Sequence, residues 1–254
     1  MDYETMREQI NGELDLIYLD DFRKANADTQ QKAAEMFNNG ANLNDIVKFC
    51  KQEQQRAYAE RLKKEAEMSK RFQTRTFENF VCETPTQKAA FEKAKKYVED
   101  FEDHLQTGTG LIIAGHGDVG TGKTHLACAI ANDLLEKGYP IKVINITRMI
   151  ASIKEDFKIK PYIDVPALLI DDLGKETGTQ WVTETLYAII NERYEAMKPT
   201  LITTEDGIEE LKNNYKVTVN GKEKNRGRAI TSRLIQDFIY IPLTGEDYRQ
   251  RRAA

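Results

Sequence analysis

Gly117-Asp118-Val119-Gly120-Thr121-Gly122-Lys123-Thr124 restricts what this chain can be more than any other stretch of it. Gly117 and Gly122 flank four free positions and are followed by Lys and Thr, the spacing of a phosphate-binding P-loop. Glycine lets the backbone turn tightly and bring its N–H groups close to phosphate oxygens. Lys123 can reach the β- and γ-phosphates of a nucleotide, and Thr124 can offer its hydroxyl to Mg2+. The helix that follows adds its positive N-terminal end. Upstream, Leu111-Ile112-Ile113-Ala114 reads as a buried strand; downstream, His125 to Leu135 reads as a helix stopped by Gly138 and Pro140. Strand, glycine loop and helix are the setting such a loop needs. The phosphate-binding set runs through Gly117, Asp118, Val119, Gly120, Thr121, Gly122, Lys123 and Thr124 to His125.

At 254 residues the chain has room for one good-sized core and a smaller module. Charged residues make up 31% of it, yet the net charge is −4, so a globally basic nucleic-acid binder is excluded and any DNA contact must be a local patch. Cys50, Cys82 and Cys128 lie far apart, with no CxxC and no Cys/His cluster. That predicts reduced thiols in a cytoplasmic protein without structural zinc. Met1-Asp2-Tyr3-Glu4 begins no apolar signal core, and no apolar run approaches the ~20 residues that span a bilayer, so no membrane partner is expected.

Residues 1–70 read as a helical, polar domain with no proline. Apolar residues recur at helical spacing through Ile10, Leu14, Ile17 and Tyr18, and again at Ala33, Met36 and Phe37. Asn38-Asn39-Gly40 is a break. A second long helix begins near Asn44, with Ile46, Val47, Phe49 and Cys50 on its early apolar face, and runs on through a charged segment from Gln52 to Arg71. That segment suits a solvated or partner-bound helix. Residues 71–254 form the larger domain. Arg71 to Phe80 reads as an extended lead-in packing onto it, and Thr84-Pro85-Thr86 starts a helix whose buried stripe is Ala89, Ala90, Ala94 and Val98. Candidate strands follow at Leu111–Ala114, Ile141–Ile146, Ala167–Asp171, Thr200–Thr204 and Phe238–Ile241, with helices between them. Nearly continuous apolar strands predict an α/β fold, a five-stranded parallel sheet covered by helices on both faces.

Three further sites carry chemistry. Leu168-Leu169-Ile170-Asp171-Asp172 is an apolar strand delivering two acids at its C-terminal edge, where ligands bind in α/β sheets. Asp171 is placed to support Mg2+, and Asp172 to orient or deprotonate an attacking water. A third strand end, Thr203-Thr204-Glu205, offers Thr204 as the sensor of a γ-phosphate, while Glu205 is expected to face water or an arginine, since like charges repel. Gly227 to Leu234 continues a basic stretch that starts at Lys222. It reads either as a phosphate patch for DNA or as an arginine finger reaching a nucleotide bound by a neighbouring subunit. Lys222, Lys224 and Arg226 also suit a solvated loop, whereas Arg233 lies within an apolar helix pattern.

Taken together, Arg75-Thr76-Phe77-Glu78-Asn79-Phe80, Gly122-Lys123-Thr124-His125-Leu126-Ala127, Ile170-Asp171-Asp172-Leu173-Gly174, Ser232-Arg233-Leu234 and Gly245-Glu246-Asp247-Tyr248-Arg249 resemble the AAA+ ATPases, and within them the DnaC-type bacterial and phage helicase loaders and the related IstB transposition ATPases. The resemblance covers roughly residues 72–250. It implies a weak, assembly- and DNA-modulated ATPase with ATP and Mg2+, self-associating into an AAA+ oligomer, that binds a DnaB-type replicative helicase through residues 1–70 and loads it on single-stranded DNA. The alternatives are a transposition helper ATPase and a nucleotide-binding helicase adaptor with little hydrolysis. By the same resemblance Arg233 matches the arginine finger and Arg249 the sensor arginine of the C-terminal Tyr-Arg motif. Lys154 and Phe157 match a single-strand DNA surface, with Thr179 and Trp181 as a second pair. A lysine for phosphate and an aromatic for base stacking suit sequence-tolerant binding, and core packing is the other reading of Phe157 and Trp181. The chain departs from the family pattern at Glu205, where Asn is usual, and lacks the ligands of a zinc-binding N-terminal domain.

Overall fold

The computed structural model describes residues 26–115, 120–219, 222–245 and 247. By contacts the chain divides into a unit of residues 1–61 with 136–138 and a larger unit of residues 62–135 with 139–254.

In the small unit, helix α1 (Ala27–Asn38) starts at Asn26, whose side chain accepts the Thr29 N–H at 2.9 Å. It stops where the sequence breaks, with Gly40 at φ 81°. Helix α2 spans Leu43–Glu65. Ala33, Ile46 and Cys50 form the buried core, with Met36, Phe37 and Phe49 packed against it. The charged stretch after Lys51 stays mostly exposed, as its sparse apolar spacing requires. The end of α2 and the residues after it belong to the larger unit: Leu62, Ala66 and Met68 join its core, and the Ala66 carbonyl accepts the Val143 N–H at 3.1 Å. The division thus falls at 61/62, where the sequence suggested 70/71.

The larger unit begins with a short helix α3 (Lys70–Gln73), then α4 (Pro85–Glu99) and α5 (Phe101–Thr107). Helix α4 opens on a capping box between Thr84 and Gln87. Ala90, Ala94, Tyr97 and Val98 form its buried face, whereas Ala89 is exposed, one position off the i, i+4, i+7, i+8 stripe. There follow β1 (Gly110–Ala114), α6 (Lys123–Glu136), β2 (Ile141–Asn145), α7 (Ile146–Asp156), α8 (Lys160–Ile163), β3 (Ala167–Leu173), α9 (Gln180–Glu195), β4 (Thr200–Thr204), α10 (Ile208–Asn214), β5 (Lys216–Val219), β6 (Lys222–Asn225), α11 (Arg226–Gln236) and β7 (Phe238–Pro242). The five expected strands form one parallel sheet in the order β2-β3-β4-β1-β7. Separate apolar clusters cover its faces, one with Leu111, Leu126 and Leu169, the other with Ile112, Ile170 and Leu186. Burial on both faces explains why these strands are continuous apolar runs.

The register brings chemistry to one edge. Asn145 pairs with Asp171, and both Ala114 and Leu173 pair with Thr204. Between Ile170 and Leu173 the register shifts, and Asp172 sits at φ 62°. A bulge of this kind re-aims a side chain at a strand end.

One further feature differs from expectation. Lys216–Asn225 is an antiparallel hairpin, not a loop. Its signal, β-branched residues followed by Asn220-Gly221, is present in the sequence. Arg193 is fully buried, with no carboxylate partner among the described residues. Its guanidinium donates to Thr200 Oγ1 and to the carbonyls of Tyr162, Ile163, Val165, Pro166 and Pro199, at 2.6–3.3 Å.

Candidate nucleotide site

The cleft at the C-terminal edge of the sheet has a volume of about 570 Å³, within the size range of small-molecule sites. Its walls come from the lead-in (Arg71, Thr74, Arg75, Asn79, Phe80, Val81), from Gln87, from Gly120 to His125, and from Asp172, Lys175 and Glu205.

The glycine loop has the geometry its residues predict. Gly120 and Gly122 adopt φ 70° and 101°, where a side chain is strained. A Cβ on Gly122 would also lie 3.0 Å from the Phe80 ring. Lys123 opens α6, is buried, and directs Nζ to Thr121 Oγ1 at 3.4 Å. A Cβ on Gly120 would fall on the Asp247 carboxylate, so the C-terminal motif reaches this loop. Gly117, Asp118, Val119 and Arg249 lie outside the described residues.

His125 ties the lead-in to the helix. Its Nε2 sits 2.7 Å from Asn79 Oδ1 and 3.1 Å from the Thr76 carbonyl, and the Phe80 ring meets it edge-on at 5.2 Å. Burial lowers its pKa, favouring the neutral ring, and two oxygen acceptors at Nε2 call for the tautomer protonated there. Arg75 stacks over Phe72 at 5.3 Å, and its Nη1 is buried without a hydrogen-bond partner among the described residues.

The two acids occupy different environments. Asp171 is buried, and its Oδ1 accepts the Thr203 hydroxyl at 2.7 Å. Burial, then the charge of Asp172, raise its pKa, while hydrogen bonds from Thr203 and Thr124 oppose the rise. A carboxylate whose charge is penalised by burial, hydrogen-bonded to the P-loop threonine, suits a cation held by few protein ligands and by phosphate oxygens. Among the described residues no group of three or more His, Cys, Asp and Glu could hold a metal by itself. Asp172 points elsewhere. Asn145 Nδ2 lies 3.3 Å from its Oδ2 and Lys175 Nζ 3.3 Å from its Oδ1. Its own N–H donates to Thr203 Oγ1 at 2.8 Å. The positive φ of Asp172 is the kind of local strain found at functional sites.

Thr203 therefore serves both acids, accepting from one backbone and donating to the other side chain. Thr203→Val is expected to cost roughly 1–3 kcal/mol of folding stability, because the Asp172 N–H and an Asp171 oxygen lose their partner. Urea denaturation reads this directly, and an unchanged midpoint would mean that the network carries no weight.

Thr204 and Glu205 divide differently from expectation. Thr204 is fully buried, its hydroxyl accepts the Asp206 N–H at 3.0 Å, and it is not among the cleft-lining residues. Glu205 lines the cleft, partly open to solvent, and meets a lysine rather than an arginine, with Lys175 Nζ at 2.8 Å. Burial pulls the Lys175 ammonium down, but Glu205 and Asp172 outweigh it and leave its pKa raised. Lys175, Asn145, Thr203 and the lead-in arginines went unnoticed as site residues. Only Lys175, three positions after Asp172 and beyond a glycine, had a local signal.

The remaining candidates lie away from the cleft-lining set. Arg233 is half-buried; it donates to the Ala229 carbonyl at 3.0 Å and lies over Tyr187 and Tyr194 at 5.1 and 5.7 Å. Arg226, expected in a solvated loop, opens α11, pairs with Glu184 at 3.1 Å and lies 4.8 Å from the Tyr187 ring. Phe157 is 78% exposed and caps α7 at φ 55°. Trp181 is 38% exposed, with Lys154 Nζ 5.7 Å from its ring. Neither aromatic is core. Thr179 caps α9, its hydroxyl accepting the Val182 N–H at 3.3 Å. No helix among the described residues is long and apolar enough to cross a membrane.

Comparison with known proteins agrees with this architecture. Residues 12–254 match the family model described as IstB-like ATP binding protein. The replicative helicase loader DnaC of Escherichia coli strain K12 is 28% identical over 186 residues, which cover 69% of each chain. The replicative helicase loader DnaI of Bacillus subtilis strain 168 is 26% identical over 183 residues, 68% of this chain and 58% of that one. In structure, a DnaC helicase loader crystal structure superposes with a TM-score of 0.59 at 24% identity, covering 69% of this chain and 99% of that one. AMPPCP-bound DnaA from Aquifex aeolicus reaches 0.52 at 22% identity, covering 67% and 50%. The fold is that of an AAA+ P-loop NTPase.

Proposed function

The chain belongs to the IstB-like ATP binding protein family, and on that premise we propose that it is a helicase loader, an ATP-controlled switch that holds a DnaB-type replicative helicase and delivers it to single-stranded DNA. One observation carries the nucleotide half of this reading: the P-loop turn, with Gly120 and Gly122 at positive φ and Lys123 buried behind it, shares a site with the buried carboxylate of Asp171, on which the Thr124 hydroxyl acts to hold the charged form. That is the pairing a magnesium nucleotide needs. The similarity to replicative helicase loaders supports the other half.

In this reading Lys123 binds the β- and γ-phosphates, and Thr124 and Asp171 hold Mg2+. Asp172 orients or deprotonates the water that hydrolyses ATP. Thr204 fixes the turn that carries Glu205. Arg233 completes the site of a neighbouring copy in an AAA+ oligomer, and Arg249 closes the site of its own subunit. Hydrolysis is weak and responds to assembly and DNA. Lys154, Phe157 and Trp181 form the single-strand surface, with Thr179 ordering the helix that bears Trp181. The exposure of Phe157 and Trp181 and the lysine beside Trp181 support it.

The N-terminal helical module grips the helicase. Its test is capture of a DnaB-type helicase by the full chain and by a chain lacking residues 1–61, a cut that spares Leu62, Ala66 and Met68 of the larger core. Retention by the full chain and loss by the shortened one is the expected result. Capture of a transposase in place of the helicase would favour a transposition helper ATPase. Failure of the full chain to hold any helicase would sink the loader reading.

A further inference from the structure

The cleft carries an acid, Glu205, beside the acid Asp172, at the edge where the proposed nucleotide would place its phosphates. Two carboxylates there repel each other and repel any polyanion. The structure offers one remedy. Lys175 Nζ lies 2.8 Å from Glu205 Oε1 and 3.3 Å from Asp172 Oδ1, and all three residues line the cleft.

The backbone holds this lysine in place. Asp172 and Gly174 both take positive φ, 62° and 101°, and the Lys175 N–H closes a turn onto the Asp172 carbonyl at 3.1 Å. Behind the turn, Glu176 accepts the Gly174 N–H at 2.9 Å with one oxygen and the Tyr215 hydroxyl with the other. The turn is therefore pinned on its far side while the lysine stem reaches into the cleft.

We propose that Lys175 is the residue by which this cleft tells a nucleoside triphosphate from a diphosphate. Its ammonium cancels the charge of Glu205, so that a third phosphate is not repelled. It also holds Asp172 by one oxygen, leaving Asn145 on the other. Lys175 is a positioning residue toward Asp172 and a specificity residue toward the phosphates. The inference rests on the nucleotide reading of the cleft.

The test measures equilibrium binding of Mg-ADP and of a non-hydrolysable Mg-ATP analogue to the full chain. Lys175→Met is expected to weaken the triphosphate analogue by about threefold to fivefold and ADP by less than about twofold, the loss of one half-exposed cation at the site. Lys175→Arg keeps the charge and should keep the preference. Glu205→Gln added to Lys175→Met should recover most of the lost triphosphate affinity, because the orphaned acid is gone. A merely structural lysine would not show that rescue. Binding of both nucleotides by the unaltered chain with an unchanged preference in Lys175→Met, or no rescue by Glu205→Gln, overturns the inference alone. No binding of either nucleotide by the unaltered chain removes the nucleotide reading, and the inference with it.

Discussion

Lys123→Ala is expected to lower affinity for Mg-ATP by about a hundredfold or more, the effect of removing a buried cation from its charged partner. Lys123 is buried at the start of α6, and its ammonium is turned to Thr121 at the loop. In such a site a charge is screened weakly by water, so its attraction for phosphate is large. The loss should be selective. The helix continues through a well-packed apolar face, including Leu126, Ile130 and Leu134, that alanine at 123 leaves intact, so the variant should melt close to the unaltered chain. Isothermal titration together with a thermal melt separates the two effects. Less than a threefold change in affinity would remove Lys123 from the site.

Arg193→Ala carries the largest expected cost in stability, roughly 3–5 kcal/mol. The side chain bonds six oxygens: Thr200 Oγ1 at the start of β4 and five carbonyls around α8, the lead into β3 and the turn after α9. Truncation leaves these buried acceptors unpaired. For a unit of this size the loss corresponds to a fall in Tm of roughly 6–20 °C. Arg193→Lys should restore little, since a single ammonium cannot reproduce the planar fork that reaches carbonyls on both sides. A scanning calorimetry trace within a few degrees of the unaltered chain would contradict this account.

The strands of the sheet were legible because parallel strands buried on both faces must be written as unbroken apolar runs, and Leu111 to Ala114 or Ala167 to Ile170 can be little else. The glycine loop was legible because its conformation and its chemistry demand particular residues. What failed to show was set by pairing across the sheet. Thr203 and Thr204 point to opposite faces by the period of a strand, and only the pairing of β4 with β3 decides that Thr203 meets Asp171, whereas Thr204 turns to Asp206 two residues on. Asn145 reaches Asp172 because β2 lies next to β3, an order the chain does not spell out locally. The lead-in was expected to be extended; instead it forms a short helix and a turn fixed by Asn79 against His125, 46 residues away. Phe157 could equally have been core, and its position as a left-handed helix cap put it outside.

The central claim is that this chain is a nucleotide-controlled loader, and it is tested by delivery itself. A DnaB-type helicase is mixed with circular single-stranded DNA and ATP, alone, with the full chain, or with Lys123→Ala, and the helicase retained on the DNA after gel filtration is measured. The account predicts substantial retention with the unaltered chain, little with Lys123→Ala and little with the helicase alone. Equal retention with and without the chain would contradict it.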